Sequence, residues 1–229
     1  MVSHMVQRLN CSVVKALNIL EAIATAENGG LTPTEIAVRT GLSRGSVYPI
    51  LRALERRGYV HKDSTKGYQL GPVFLRYGYQ VLNQLKLPEI ARPVLQKMAS
   101  KWNLNVHLGI LHYRQVLYLD RVVGSDTVVL GEIIGLVEPA YCTALGKTLL
   151  GSLSDVELEA YLAEEKLLPL TPYTITDASI LRDVVKKVRE DGYAINDEEA
   201  HEGIVGVAAP IKDFRGRTVA AISISIPKG

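Results

Sequence analysis

The residues with the clearest capacity for chemistry are cations and hydroxyls within the segment 43–57. Arg44 and Arg52 carry guanidinium groups that can bind a guanine edge or a phosphate through two hydrogen bonds. Ser46 and Tyr48 lie between them, and their hydroxyls can reach phosphate oxygens. These residue types at this spacing indicate a surface that binds nucleic acid.

Two other groups of residues could carry catalytic or metal chemistry. Cys142 could pair with His107 or His201 as a thiol and a base, but neither an oxyanion site nor an orienting acid is evident. The carboxylates of 197–199 with His201 could ligate a metal, although such a cluster is more often a solvated loop that pairs with cations. We therefore predict no enzymatic activity, no catalytic residue, no metal and no cofactor.

Two short helices joined by a glycine turn must position the cations. Thr32 precedes Pro33 and stands three residues before Glu35, which is typical of a capping box at a helix start. Gly41 can end this helix because glycine reaches a left-handed turn at little cost, and Ser43 can cap the next helix. This pattern predicts a helix-turn-helix, which places its second helix in the major groove.

The second helix should bury one apolar stripe. Its members, spaced at i, i+3, i+4 and i+7, are Val47, Ile50, Leu51 and Leu54. Pro49 lies inside this helix, where it removes one backbone hydrogen bond and crowds the carbonyl of Gly45. We predict a local kink or a late helix start between Gly45 and Pro49.

A hairpin after the second helix adds two more cations. Residues 59–62 and 68–70 predict strands around a polar turn. Lys62 and Lys66 on this hairpin could contact the phosphate backbone beside the groove.

The charge is divided unevenly between the head, residues 1–70, and the body, residues 71–229. The head carries 9 Lys and Arg against 5 Asp and Glu, a net charge of +4. The body carries 17 against 19, a net charge of −2. A basic head on a slightly acidic body favours double-stranded DNA as the partner, whereas the alternative is a protein-interaction module with a solvated charged helix.

The pattern of apolar residues in the rest of the chain predicts helices around a sheet, which is an α+β region. Strands are predicted over 105–111, 115–122, 126–134, 193–195, 205–211 and 218–226. Helices are predicted over 12–26, 73–85, 89–102, 143–153, 155–164 and 177–190. The apolar face of 73–85 could pack within the chain or against the same helix of a second subunit. Predicted inner faces of other helices contain Val13, Leu17, Leu20 and Ala24, with Ile23 beside them; Ile90, Val94, Leu95 and Met98; and Ile180, Val184, Val185 and Val188.

Length and composition limit the class of protein. A chain of 229 residues with 47% hydrophobic content suits one or two ordinary domains. No apolar run approaches the roughly 18 residues that cross a membrane. Cys11 and Cys142 lie far apart and do not suggest a disulfide framework. We expect a cytoplasmic protein with no membrane partner.

Several segments, in order and at matching spacing, resemble the IclR family of transcription regulators. In the head they are SVVKAL at 12–17, LTPTEIA at 31–37, LERRGYV at 54–60 and YQLG at 68–71. In the body they are VHL at 106–108, CTALGK at 142–147, TITD at 174–177, DEE at 197–199 and AAPI at 208–211. The resemblance covers nearly the whole chain.

The resemblance implies an N-terminal winged helix-turn-helix domain at 1–71, a linker helix at 72–87 and a C-terminal GAF-like α/β effector-binding domain at 88–229. It also implies a homodimer or homotetramer that binds a palindromic operator. A small-molecule effector, usually an organic acid or an aromatic metabolite, would modulate that binding.

Two sets of site residues follow from the motif and the resemblance. The predicted DNA-binding residues are Thr32, Ser43, Arg44, Ser46, Tyr48, Arg52, Lys62 and Lys66. The predicted effector-binding residues are Leu130, Ala144, Leu145, Asn196, Gly206, Ser223 and Ser225. Backbone N–H groups at a helix start favour an anion, and Ser223 and Ser225 alternate along a strand and therefore share one face. The alternative is that this face meets solvent.

Some positions depart from the family pattern. The family often has a cysteine where Gly206 stands and an acid where Asn196 stands, so the effector could differ in size or polarity. It usually has Ser or Thr at the position of Gly45 and no proline at Pro49, so the operator sequence cannot be transferred. The alternative function is a metabolite-binding or processing protein whose helical head serves protein interaction.

Overall fold

A computed structural model describes residues 11–124 and 134–228 of the chain, which divides into two compact units, Met1–Gln84 and Leu85–Gly229. The described elements of the N-terminal unit are α1 (Cys11–Ala24), α2 (Pro33–Thr40), α3 (Arg44–Arg56), β1 (Val60–Asp63), β2 (Gly67–Leu70) and α4 (Val73–Leu85). Those of the C-terminal unit are α5 (Leu87–Trp102), β3 (Asn105–His112), β4 (Gln115–Val122), β5 (Val137–Pro139), α6 (Ala144–Leu150), α7 (Asp155–Glu164), α8 (Ala178–Asp191), β6 (Ala194–Asp197), β7 (Ile204–Lys212) and β8 (Thr218–Pro227). The α+β class and the N-terminal winged helix-turn-helix are confirmed.

The N-terminal unit contains the predicted capping box and glycine turn. The Thr32 backbone N–H donates to the Glu35 carboxylate at 2.7 Å, and the Glu35 N–H donates to the Thr32 hydroxyl at 3.3 Å, which completes the capping box. Gly41 ends α2 with φ at +67°, a value that few residues other than glycine adopt readily. β1 and β2 then pair antiparallel from Val60 with Leu70 to Asp63 with Gly67, forming the wing.

A small apolar core holds the three helices and the wing together. Its fully buried members are Ile19, Ile36, Val47 and Leu51. The predicted inner face of α1 is partly wrong, because Val13 and Leu17 are 54% and 51% exposed and the buried side chains are Ile19 and Ile23. Helical spacing identified an apolar face correctly, but contact with α2 and α3 buries a different side of α1.

Of the two outcomes predicted for Pro49, a local kink or a late start of α3, the late start is wrong. The helix begins at Arg44, where the N–H groups of Ser46 and Val47 both donate to the Ser43 carbonyl, and it continues through Pro49. The carbonyl that loses its donor belongs to Gly45, which lies on the exposed side of the helix. Water can replace the missing bond there, which explains why the proline does not interrupt α3.

The C-terminal unit contains a six-stranded antiparallel sheet in the order β5-β4-β3-β8-β7-β6. Its central pair joins β3 to β8, which is the last strand along the chain. The short strand β5 was not predicted, and the predicted strand over 126–134 lies, apart from residue 134, outside the described residues.

Helices cover both faces of this sheet. Leu95 of α5 packs in one core with Val106, Leu108 and Leu119 of the sheet. The opposite face packs against α6, and α8 and α7 join α6 in a second core that contains Leu145, Leu150, Leu158 and Leu181. Within the described residues, none of the helices combines the length and the apolar character that a membrane span needs.

The predicted inner faces of two of these helices need correction. In α5, Ile90 and Val94 are exposed and the buried side chains are Ala91, Leu95 and Ala99. In α8, Ile180 is exposed and Leu181 is fully buried beside Val185 and Val188. In each helix the buried face is rotated about the helix axis from the predicted one, because the element that packs against the helix determines which side is buried.

Candidate nucleic-acid interface and effector site

The exposed face of α3 forms a shallow open groove in the N-terminal unit. The residues that line it are Gly45, Tyr48, Pro49, Arg52, Ala53 and Arg56. At about 100° of helical rotation per residue, this set lies opposite the buried Val47 and Leu51. The helix therefore presents cations, one phenol and a strip of small apolar residues to solvent.

The predicted DNA-binding residues lie on this face, on the helix starts and on the wing. The exposed members are Thr32, Ser43, Arg44, Tyr48, Arg52, Lys62 and Lys66, whereas Ser46 is half-buried. Ser43 occupies the N-cap position of α3, but its hydroxyl lies 3.1 Å from the Ser46 hydroxyl and does not cap a backbone N–H. The two hydroxyls therefore engage each other, which orients both at the start of α3.

None of the cations on α3 and the wing forms an ion pair within the part of the chain that the structure describes. Arg56 and Ala53 share the exposed face with Arg52 but were not among the predicted site residues. The helical spacing from Arg52 to Arg56 could have identified Arg56.

In the C-terminal unit, polar side chains gather on the sheet face that α6 covers. Gly206 of β7 pairs with both Asn196 of β6 and Ser225 of β8, so these three residues form one row across the sheet. Ala144 lies over this row, because a Cβ built at Gly206 would stand 3.5 Å from the Ala144 Cβ and 3.9 Å from the Asn196 Cβ. The structure thus brings together Ala144, Asn196, Gly206 and Ser225.

The remaining predicted effector residues fall into three cases. Ser223 is 8% exposed and pairs with His107 of β3, so it does not face solvent. Leu145 is buried and points toward Gly109 in β3. Leu130 lies outside the described residues.

A hydrogen-bonded network that sequence reasoning missed runs beside this row. The His107 Nε2 lies 3.2 Å from the Ser225 Oγ, and the His107 ring meets the Tyr118 ring edge-on at 5.8 Å. Tyr118 donates its hydroxyl to one Glu138 oxygen at 2.5 Å, and the His201 Nε2 lies 2.7 Å from the other. The Nδ1 atom of His107 is buried and has no hydrogen-bond partner among the described residues.

The protonation states in this network follow from burial and partners. Burial lowers the pKa of His107 to about 4, so its imidazole is neutral at pH 7. Burial acts to raise the pKa of Glu138, but the hydrogen bonds from His201 and Tyr118 outweigh it and hold that pKa below its usual value. The bond to Glu138 raises the pKa of His201. The network therefore offers a neutral imidazole beside an ionised carboxylate.

A buried ion pair links α6 to the loop after β6. The Lys147 ammonium donates to the Glu199 carboxylate, and the Glu199 N–H donates to the Asn196 side-chain oxygen at 2.8 Å. Burial lowers the pKa of Lys147 and raises that of Glu199, since both charges leave water. This pair fixes the loop that carries Glu199 against α6, and the bond to Asn196 ties that loop to β6.

The residues considered for catalysis and for metal binding are engaged elsewhere. The Cys142 sulfur lies 3.7 Å from the Pro139 carbonyl oxygen, and burial raises the pKa of this thiol to about 12, far from that of a nucleophile. Lys228 bonds both Asp197 at 2.7 Å and Glu198 at 2.5 Å. In the described ranges, no three side chains of the metal-binding types stand close enough to hold an ion.

Comparison with known proteins covers both units. Residues 12–64 match the IclR helix-turn-helix domain, and residues 79–229 match the C-terminal domain of the bacterial transcriptional regulator IclR. The chain is 35% identical to the HTH-type transcriptional regulator Rv1719 of Mycobacterium tuberculosis, over 94% of this chain and 81% of that protein.

Solved structures agree with this match. The Rhodococcus sp. RHA1 regulator RHA06195 superposes with a TM-score of 0.74 at 35% identity, over 94% of this chain and 86% of that one. An IclR homologue from Microbacterium hydrocarbonoxydans, solved as a complex with 4-hydroxybenzoate, shares the fold with a TM-score of 0.79 at 20% identity, over 95% of this chain and 89% of that one. The protein is a member of the IclR family of transcriptional regulators, which are not enzymes.

Proposed function

We propose that α3 enters the major groove of duplex DNA while the β1–β2 wing contacts flanking phosphates. The observation that carries this proposal is the exposed basic face of α3 opposite its buried stripe. Arg44 and Arg52 would read base edges or grip phosphates, and Lys62 and Lys66 would neutralise phosphates beside the groove. Thr32, Ser43, Ser46 and Tyr48 would add hydroxyl contacts at the helix starts and on α3.

We expect Arg52→Ala to weaken binding to a specific duplex by about 1–3 kcal/mol if its guanidinium reads a base. The measurement is fluorescence anisotropy with DNA from upstream of the protein's own gene, beside a scrambled duplex, across a salt series. Lys66→Ala is the matched control: it should weaken both duplexes equally and reduce the steepness of the log–log salt dependence by about one. Unchanged affinity in Arg52→Ala would remove this residue from the interface.

We also propose that two or four copies of the chain present paired heads to a palindromic operator. Three large apolar side chains of α4, Leu75, Tyr79 and Val81, are exposed, and a second copy could cover them. A closed two-fold assembly would match the symmetry of such an operator.

We propose that a small organic or aromatic acid binds between the start of α6 and the row formed by Asn196, Gly206 and Ser225. Support comes from the Nδ1 of His107, which is buried and has no hydrogen-bond partner among the described residues, and from the missing side chain at Gly206, where a built Cβ would contact Ala144 and Asn196. The Microbacterium hydrocarbonoxydans homologue holds an aromatic acid in the same overall fold. Binding here would favour one arrangement of the heads and thereby change operator affinity.

The test is to titrate a panel of small organic and aromatic acids against the protein–DNA complex and record DNA release. Gly206→Val should keep operator affinity but raise the acid concentration needed for release about tenfold, because the new side chain fills the space between β7 and Ala144. Val207→Ala is the matched control, since Val207 is partly exposed on the opposite face of the same strand. If Gly206→Val responds to the acid as the wild type does, the effector binds elsewhere.

A further inference from the structure

The centre of the exposed face of α3 is apolar. Gly45, Pro49 and Ala53 follow one another at intervals of four residues and are all exposed, so they form one strip along the helix. Arg52 and Arg56 are also four residues apart, so they form the neighbouring row along one side of this strip and line the same groove. When α3 lies in the major groove, the strip would meet base edges while this row of cations reaches phosphates or neighbouring bases.

The chemistry of this strip limits what it can read. Gly45 has no side chain. Among the described residues, its own helix backbone and chain neighbours aside, the atom nearest to a built Cβ is the Ser43 Oγ at 4.0 Å, so the backbone can approach a ligand closely here. Pro49 has no N–H, and its ring is a compact apolar surface. Ala53 adds one methyl group. No side chain in the strip can donate or accept a hydrogen bond.

Base edges in the major groove present one apolar group, the C5-methyl of thymine, among hydrogen-bond donors and acceptors. We propose that the strip of Gly45, Pro49 and Ala53 packs against thymine methyl groups in each half of the operator and so determines specificity by apolar contact. The inference rests on the proposed insertion of α3 into the major groove. If the strip faced a hydrogen-bond donor or acceptor on a base, that group would lose its water and gain no partner. The apolar contact therefore disfavours base edges without a methyl group.

The test begins with duplexes selected by the full chain from a random pool. Each thymine of a selected site is then replaced by uracil, which removes the methyl group and keeps base pairing. We expect at least one thymine per half-site whose replacement weakens binding about fourfold, the factor that corresponds to one methylene-sized group leaving an apolar contact. The same replacement in the flanks outside the bound region should have no effect.

Two variants distinguish loss of this apolar contact from a general loss of DNA affinity. Pro49→Ser should reduce the ratio of thymine to uracil affinity toward one, because its hydroxyl replaces the apolar ring. Lys66→Ala should bind both duplexes more weakly and keep the ratio.

The proposal is overturned if uracil is tolerated at every position, if the ratio survives Pro49→Ser, or if selected half-sites contain no thymine. If the random pool yields no preferred duplex, the proposed sequence-specific binding of α3 is contradicted. If a duplex is preferred but tolerates uracil at every position, only the apolar contact is contradicted.

Discussion

Replacement of Lys147 by methionine should lower the free energy of unfolding of the C-terminal unit by about 3–5 kcal/mol. The side chain is almost fully buried, and its ammonium neutralises the Glu199 carboxylate beneath α6. Without it, the carboxylate stays in a dry site where its second oxygen already has no partner among the described residues. A buried charge without compensation costs more than the methionine side chain recovers by packing.

Chemical denaturation measures this effect. Trp102 is the single tryptophan of the chain and belongs to the C-terminal unit, so its emission follows that unit. Lys186→Met is the control: its exposed ammonium lies 4.0 Å from Asp183, and the expected change is below about 0.5 kcal/mol. The double variant Lys147→Met with Glu199→Leu should regain most of the loss. A single variant as stable as the wild type would mean that the pair contributes nothing.

Gly146→Ala should destabilise the same unit by about 3 kcal/mol, although alanine favours a helix over glycine by about 1 kcal/mol. A Cβ at position 146 would overlap backbone atoms of Ala140, including its carbonyl oxygen. Backbone cannot move aside as a flexible side chain can, so α6 would have to shift from the sheet. The absence of a side chain is therefore what allows α6 to lie where Ala144 meets the sheet.

Gly78→Ala in α4 is the matched substitution, since it is also helical and no described neighbour outside its own helix backbone lies within 4 Å of the added Cβ. It should leave stability unchanged or raise it by up to about 1 kcal/mol. Thermal unfolding monitored by circular dichroism compares the two variants. Equal melting temperatures for Gly146→Ala and the wild type would show that the contact relaxes at no cost.

Local signals predicted helix starts well. Thr32 with Glu35 forms the capping box that the sequence predicts. Ser154 with Glu157 has the same spacing and also forms a capping box, and the side chain of Asp177 caps α8. Capping involves atoms within one turn of the chain, so the sequence contains all of the information. Strand alternation likewise located β3, β4, β7 and β8 to within about two residues.

Long-range contacts were the part that sequence patterns could not supply. Apolar spacing shows that a helix has an inner face, but Ile90 and Ile180 turned out to be exposed because neighbouring elements set the rotation. The partners Glu138 and His201 are 63 positions apart, and Lys147 and Glu199 are 52 apart. Whether the predicted effector residues bind a ligand stays a prediction, although the sheet register brings several of them together.

The position of β8 in the sheet has a consequence for synthesis on the ribosome. β8 is the last of the described strands to be made, yet it lies between β3 and β7 at the centre of the sheet. Until residues 218–227 leave the exit tunnel, β3 and β7 have no partner on their inner edges, and the exposed edges can pair with other chains. The helix-turn-helix needs only local contacts, so it can fold while the rest of the chain is still being made. We therefore expect a nascent chain whose head is folded before its sheet closes, and in which residues 218–227 complete the core.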